Sequence, residues 1–118
     1  MCWKVYRTAV DVRILFVPGC PHVERTRRRL RQALDEAALT AVVTETEVAS
    51  PEEAASTGMA GSPTVLIDGR DAFPDESAGL SLACRLYLDG DRFDGAPTVA
   101  RLVEALTAAR GCQGEDRV

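Results

Sequence analysis

Residues 12–17 form an apolar run broken only by Arg13. It predicts a strand, Asp11–Val17, buried on both faces at the centre of a sheet. Val17-Pro18-Gly19 breaks that strand, and a helix is expected from Pro21 to Ala38. Its apolar or small positions, Val23, Thr26, Leu30, Ala33, Leu34 and Ala37, recur at helical spacing and define one buried face. Glu24, Arg25, Arg27, Arg28, Arg29, Arg31 and Gln32 take the wet side. A second strand is expected over Leu39–Val48, with Ala41-Val42-Val43 as its apolar heart.

Ser50-Pro51-Glu52-Glu53 then starts a short helix. Ser50 is a cap, Pro51 fits the first helical position, and Glu53 completes a capping box. Gly58 stops it. Gly61 to Arg70 reads as a loop, a proline entering a β-rich run, and an Asp68-Gly69 hairpin turn. The partner strand is short, Asp71–Phe73, and Pro74 ends it. Residues 75–93 are the least readable: Ser77–Leu88 fits a helix or an extra strand, and Asp89-Gly90-Asp91 fits a turn. Gly95-Ala96-Pro97 introduces a last helix, Thr98–Ala109, with Val99, Leu102, Val103 and Leu106 on one face. Gly111 is expected to end it, leaving residues 111–118 as a flexible tail. The expected order is β-α-β-α-β-β-α in a single domain, with residues 1–10 as an N-terminal extension and residues 75–95 inserted before the last helix. There are no repeats.

Composition narrows the function. The 118 residues suffice for one modest core, and 46% apolar with 27% charged residues is ordinary for a globular protein. A net charge of −4 argues against a nucleic-acid or anionic-membrane partner. The arginine cluster at 25–31 has no interleaved aromatics and reads as the solvated face of a helix. No apolar run reaches the roughly 18 residues needed to span a bilayer. Met1-Cys2-Trp3-Lys4-Val5-Tyr6-Arg7 holds no signal-peptide segment, so a cytoplasmic location is expected. The four cysteines, Cys2, Cys20, Cys84 and Cys112, are then expected as thiols, and their spacing matches no zinc motif. The Asp89–Gly95 stretch lacks the spacing and the bidentate glutamate of a calcium loop. No metal or cofactor is implied, and no feature specifies an oligomeric state.

The candidate chemistry sits in Cys20-Pro21-His22, where strand gives way to helix. A cysteine at a helix N-terminus has its thiolate stabilised by unpaired amides and the helix dipole. His22, the only histidine, either tunes that thiolate by charge or hydrogen bonding or is an exposed first-turn residue without a task. Cys84, between Leu82-Ala83 and Leu86, reads first as a buried small hydrophobe. Cys2 and Cys112, near the chain ends, carry no role.

This order, with its strand-Cys-helix junction and the Gly61-Ser62-Pro63-Thr64-Val65 strand entry, resembles the thioredoxin-like superfamily over roughly residues 11–73 and the helix from Thr98. Small bacterial thioredoxin-like proteins, some labelled alkylmercury lyase, are similar in Gly19-Cys20-Pro21, in Gly61–Val65 and in Ala83–Tyr87. The resemblance implies an α/β thioredoxin-like sandwich with a central mixed sheet of about four strands and helices on both faces. It implies Cys20 as attacking thiol, His22 as modulator of its thiolate, and Pro63 as a cis-proline shaping a substrate groove that Pro21, Ser62 and Thr64 also line. Cys20-Pro21-His22 matches the first three positions of the Cys-Pro-His-Cys motif of oxidising disulfide catalysts, but position 23 is Val23.

Without that second cysteine a mixed disulfide on Cys20 must wait for another thiol. The expected function is monothiol thiol–disulfide exchange with a low-molecular-weight thiol or a protein disulfide as substrate. An external thiol such as glutathione resolves the intermediate, or Cys84 does, if the 75–95 insertion folds over the Cys20 pocket. Two other readings stay open: a thiol-based binding or sensing module for a soft metal or a partner protein, and organomercurial protonolysis. The last needs Cys84 near Cys20 and an acid such as Asp68, Asp71 or Asp75 within reach.

Overall fold

The computed structural model describes residues 10–74 and 81–115. In chain order the elements are β1 (Val10–Phe16), α1 (Val23–Ala37), β2 (Ala41–Glu47), α2 (Pro51–Thr57), β3 (Ala60–Ser62), β4 (Thr64–Ile67), β5 (Arg70–Asp71), β6 (Ser81–Cys84), β7 (Tyr87–Asp89), β8 (Arg92–Asp94) and α3 (Val99–Glu115). A four-stranded mixed sheet runs in the order β2-β1-β4-β5. β1 is parallel to β2, with Val10 opposite Ala41, and antiparallel to β4, with Ile14 opposite Val65. β4 and β5 form an antiparallel hairpin. Its turn, Asp68-Gly69, has φ of 53° and 83°. Two positive φ values mark the tight turn that an Asp-Gly pair favours.

The sheet splits the core by the two-residue period of its strands. Val10, Val12 and Ile14 of β1 and Val65 and Ile67 of β4 face Leu30 and Ala33 of α1 and Leu102 and Leu106 of α3. Leu15 and Leu66 point the other way, onto Ala54 of α2, Val48 and Met59. Helices therefore cover both faces, unequally. The seven-residue α2 covers only one end, so Asp11 and Arg13 in β1 are exposed on its side. Two-sided burial of β1 is confined to Ile14 and Leu15. Each fully buried aliphatic side chain contributes about 1.5–3 kcal/mol.

Capping positions the helices. Ser50 accepts a hydrogen bond from the Glu53 amide at 3.2 Å, and the Glu53 carboxylate reaches back to the Ala49 amide at 3.0 Å. α2 ends on Gly58 in the left-handed region, φ 83°. α1 ends one residue before the expected Ala38, which itself adopts φ 56° and returns its amide to the Leu34 and Asp35 carbonyls.

Several expectations are corrected. β2 is an edge strand whose Val42 and Val43 are 58% and 41% exposed, because neither helix layer reaches it there. The apolar heart expected of it supplies only Ala41 to the packed core. Of the helix or extra strand left open for Ser77–Leu88, the described residues take the strand, as β6 and β7, and β7 pairs with β8 across the expected Asp89-Gly90-Asp91 turn. α3 continues through Gly111 and Gly114 to Glu115, since a glycine weakens a helix by about 1 kcal/mol without necessarily ending it. The expected N-terminal extension, with Cys2, lies outside the described residues apart from Val10. So do Asp75 and the last three residues of the expected tail. Cys112 falls within α3.

Candidate functional site

β1 delivers the chain into a tight turn. The Cys20 amide donates to the Val17 carbonyl at 3.1 Å across Pro18 and Gly19, and Gly19 has φ 75°. Proline followed by a positive-φ glycine is the signature of a type II turn, and here it presents Cys20 as its last residue. Cys20 is a free, half-buried cysteine. It lies two residues before His22, the N-cap of α1, so Pro21 precedes the helix rather than occupying its first turn. Pro21 is exposed.

His22 does not cap the helix with its side chain. Its Nδ1 lies 2.8 Å from the Arg25 guanidinium. An arginine has no acceptor, so Nδ1 takes the hydrogen bond and the ring hydrogen belongs on Nε2. The same Arg25 nitrogen donates to Asp94 at 2.7 Å, and Arg29 reaches the other oxygen of Asp94 at 3.0 Å. Burial raises the Asp94 pKa, but the Arg29 hydrogen bond and the charges of Arg25 and Arg29 outweigh it. The net effect holds Asp94 below the usual carboxylate range. Gly95 closes this group by lying flat on the His22 ring. His22 thus ties the start of α1 to the end of β8, a partnership that neither local pattern nor motif announces.

The loop that carries Pro63 meets the Cys20 turn from the sheet side. The Val17 amide donates to the Ser62 hydroxyl at 3.1 Å, and Val17 is the residue whose carbonyl holds Cys20. The Ser62-Pro63 peptide bond is cis. Ser62, Pro63 and Thr64 are all buried. The Thr64 hydroxyl donates to the Gly61 carbonyl at 2.6 Å and accepts from the Ala60 amide at 3.0 Å. Ser62 and Thr64, expected to line a groove, therefore face inward. Their hydroxyls are occupied by the chain's own backbone.

Cys84 reaches the same loop through the backbone. β3 and β6 are parallel, and Cys84 is the register partner of Ser62. The next residue, Arg85, donates its amide to the Ser62 carbonyl at 3.0 Å. The Arg85 side chain is fully buried, and its guanidinium makes a two-point ion pair with Asp71 at 2.8 and 3.0 Å. It also donates to the Phe73 carbonyl and to the Thr64 hydroxyl, and it stacks 4.8 Å above the Tyr87 ring. The Tyr87 hydroxyl donates to the Pro63 carbonyl. Arg85 and Tyr87 enter the sequence only as part of the Ala83–Tyr87 segment. The one local signal for their burial is the two-residue spacing that puts them on one side of an extended chain.

Of the acids considered as proton donors, Asp71 spends both carboxylate oxygens accepting from Arg85 and one also accepting from the Phe73 amide. Asp68 is in the β4–β5 turn, exposed, and accepts from the Asp11 amide at 3.2 Å. Among the described residues no group of three or more His, Cys, Asp or Glu side chains gathers to hold a metal ion. Among them, too, no helix is long and apolar enough to cross a membrane. The chain matches no protein-family model and no curated protein.

Proposed function

We propose that the protein carries out thiol–disulfide exchange through Cys20 on a thioredoxin-like fold. The observation that carries this reading is the link between the Cys20 turn and the cis-proline loop. Val17 joins them, giving its carbonyl to Cys20 and its amide to Ser62. A half-buried free thiol, three residues before the first residue of a fifteen-residue helix, is open to a small disulfide. The fold reading is supported by the parallel β1-α1-β2 unit, the antiparallel β4–β5 hairpin added on the other side of β1, and the closing helix α3.

In the reaction, the Cys20 thiolate attacks one sulfur of a disulfide RS–SR′. A Cys20–SR bond forms, the RS–SR′ bond breaks, and R′S⁻ leaves. A second thiolate then attacks the Cys20 sulfur and releases RS⁻. The backbone register puts Cys84 opposite Ser62, and with Cys84 as that second thiol the product is a Cys20–Cys84 disulfide that a low-molecular-weight thiol reduces. In the monothiol alternative, the low-molecular-weight thiol resolves the intermediate directly. His22, engaged by Arg25 and covered by Gly95, orients the start of α1. Pro63, buried, acts by position. The organomercurial reading is weakened because Asp71 is committed to Arg85.

The test is exchange with glutathione disulfide, followed by intact mass and peptide mapping. Glutathione is expected on Cys20, and Cys20→Ser abolishes the adduct. If wild-type protein forms none at Cys20 while the unfolded chain does, the redox reading fails.

A further inference from the structure

We propose that Arg85 and Tyr87 are positioning residues for the Cys20 site, clamping the Ser62–Thr64 loop against the turn that carries the thiol. The inference rests on the Cys20 reading above and adds to it a device that sequence position alone does not suggest.

Three consecutive residues, Ser62, Pro63 and Thr64, each receive a hydrogen bond from the short segment 85–87. The Arg85 amide binds the Ser62 carbonyl, the Tyr87 hydroxyl binds the Pro63 carbonyl, and the Arg85 guanidinium binds the Thr64 hydroxyl at 3.3 Å. The other end of the guanidinium is anchored by Asp71 and the Phe73 carbonyl at the end of the β4–β5 hairpin. The planar fork suits this task, since its donors diverge in a fixed geometry that a lysine ammonium does not reproduce.

Pure stability does not account for the arrangement. Arg85 has no exposed surface, and its Nε has no hydrogen-bond partner. Taking a guanidinium out of water costs so much that a well-packed apolar side chain of similar volume is often as stabilising. A buried cation that still leaves its Nε donor unpartnered is a poor choice for holding a core together. It is a good choice for fixing one loop in one place, because every displaced donor leaves a buried charge short of a partner. Tyr87 adds the same constraint from its buried hydroxyl, with its ring held edge-on by Phe73 at 5.4 Å. From this loop the constraint passes through the Ser62 hydroxyl to Val17, and through the Val17 carbonyl to Cys20.

Tyr87→Phe keeps the ring and its stacking and removes only the hydroxyl. The measurement is amide hydrogen exchange in the full chain, with Cys20 alkylation against pH alongside. Exchange at the Val17 and Cys20 amides is expected to quicken about fivefold or more, the change set by one hydrogen bond of ordinary net strength. The amides of Ile14 and Val65 keep their wild-type protection, and the pH profile of Cys20 alkylation moves. Unchanged exchange at 17 and 20, or equal acceleration at all four amides, overturns the clamp. Arg85→Lys serves as the second variant. It is expected to loosen the same two amides despite retaining the charge, and wild-type protection in it overturns the role of the fork. These readouts do not depend on turnover. A wild-type protein that fails to exchange with glutathione disulfide sinks the redox reading and leaves the amide result to decide the clamp.

Discussion

Gly95 lies flat against the imidazole of His22: a β-carbon at position 95 would stand 2.5 Å from both Cδ2 and Nε2 of the ring. No side chain fits there unless the imidazole moves, and moving it takes Nδ1 away from Arg25. Gly95→Ala is therefore expected to cost about 1–3 kcal/mol, the range for overpacking a filled site. In a His22→Ala background, where the ring atoms that a β-carbon at 95 meets are gone, the cost of the same substitution is expected to fall. Urea unfolding of the four proteins in a double-mutant cycle measures the coupling, and simple additivity is the result that removes the contact from the account.

Asp94 joins two arginines of α1 to the end of β8, and its folded-state pKa lies below its unfolded value. A depressed carboxylate stabilises the fold above the unfolded value, about pH 4, and that contribution drains away as pH falls through the lower folded value. Asp94→Asn is expected to cost about 1–2 kcal/mol at pH 7. That lies between exposed and buried pairs, because the three side chains are 20–34% exposed. The gap between variant and wild type, read from urea unfolding, should narrow by pH 3. An equal gap at both pH values would contradict the assignment. Glu45 is likewise held low by its hydrogen bond to Arg27, with the same sign, but this more exposed pair will be more sensitive to salt.

The parts of this fold that were legible in the sequence are those written in local chemistry. Ser50 and Glu53 close a cap within four residues, Asp68-Gly69 supplies its own backbone geometry, and the Val23-Thr26-Leu30-Ala33 stripe is buried as its spacing requires. What failed was decided by distant partners. Val42 and Val43 have the composition of a core strand, yet β2 lies at the sheet edge beyond the helices, which no neighbouring residue could disclose. Residues 85–88 invert the apolar rule: Arg85 and Tyr87 point inward while Leu86 and Leu88 are 56% and 38% exposed. The inversion follows from Asp71, Phe73 and Pro63, which wait inside with acceptors to fill. The site divides the same way. The Cys20 turn is readable from Pro18-Gly19, whereas the Arg25–Asp94–Gly95 group around His22 needed sequence separations near seventy residues.

Ala38 marks where local preference is violated. Its φ of 56° closes α1 in the left-handed region, which an L side chain with a β-carbon disfavours by about 1–2 kcal/mol. Glycine relieves that strain while adding freedom to the unfolded chain, so Ala38→Gly should stabilise by about 0.5–1 kcal/mol net. Thermal unfolding gives the answer directly. A lower melting temperature would mean that the exposed Ala38 methyl group contributes packing that outweighs its backbone strain.

On the proposed exchange reaction, Cys84 separates the two ways of completing a cycle that would begin on Cys20. Its backbone is the register partner of Ser62, and Ser62 is one hydrogen bond from the strand end that holds the Cys20 turn. If the two thiols meet, the second attack is intramolecular, at an effective concentration of about 1 mM or more. Against micromolar free glutathione that is an advantage on the order of 10³-fold. Cys84→Ser protein, loaded with glutathione on Cys20, should then hold its adduct at least about 10²-fold longer than wild type under those conditions. Wild type should meanwhile yield a Cys20–Cys84 peptide pair on mapping. Equal adduct lifetimes in the two proteins would assign resolution to the external thiol. The protein would then be a monothiol exchanger, in which Cys84 contributes to the β3–β6 pairing and not to the chemistry.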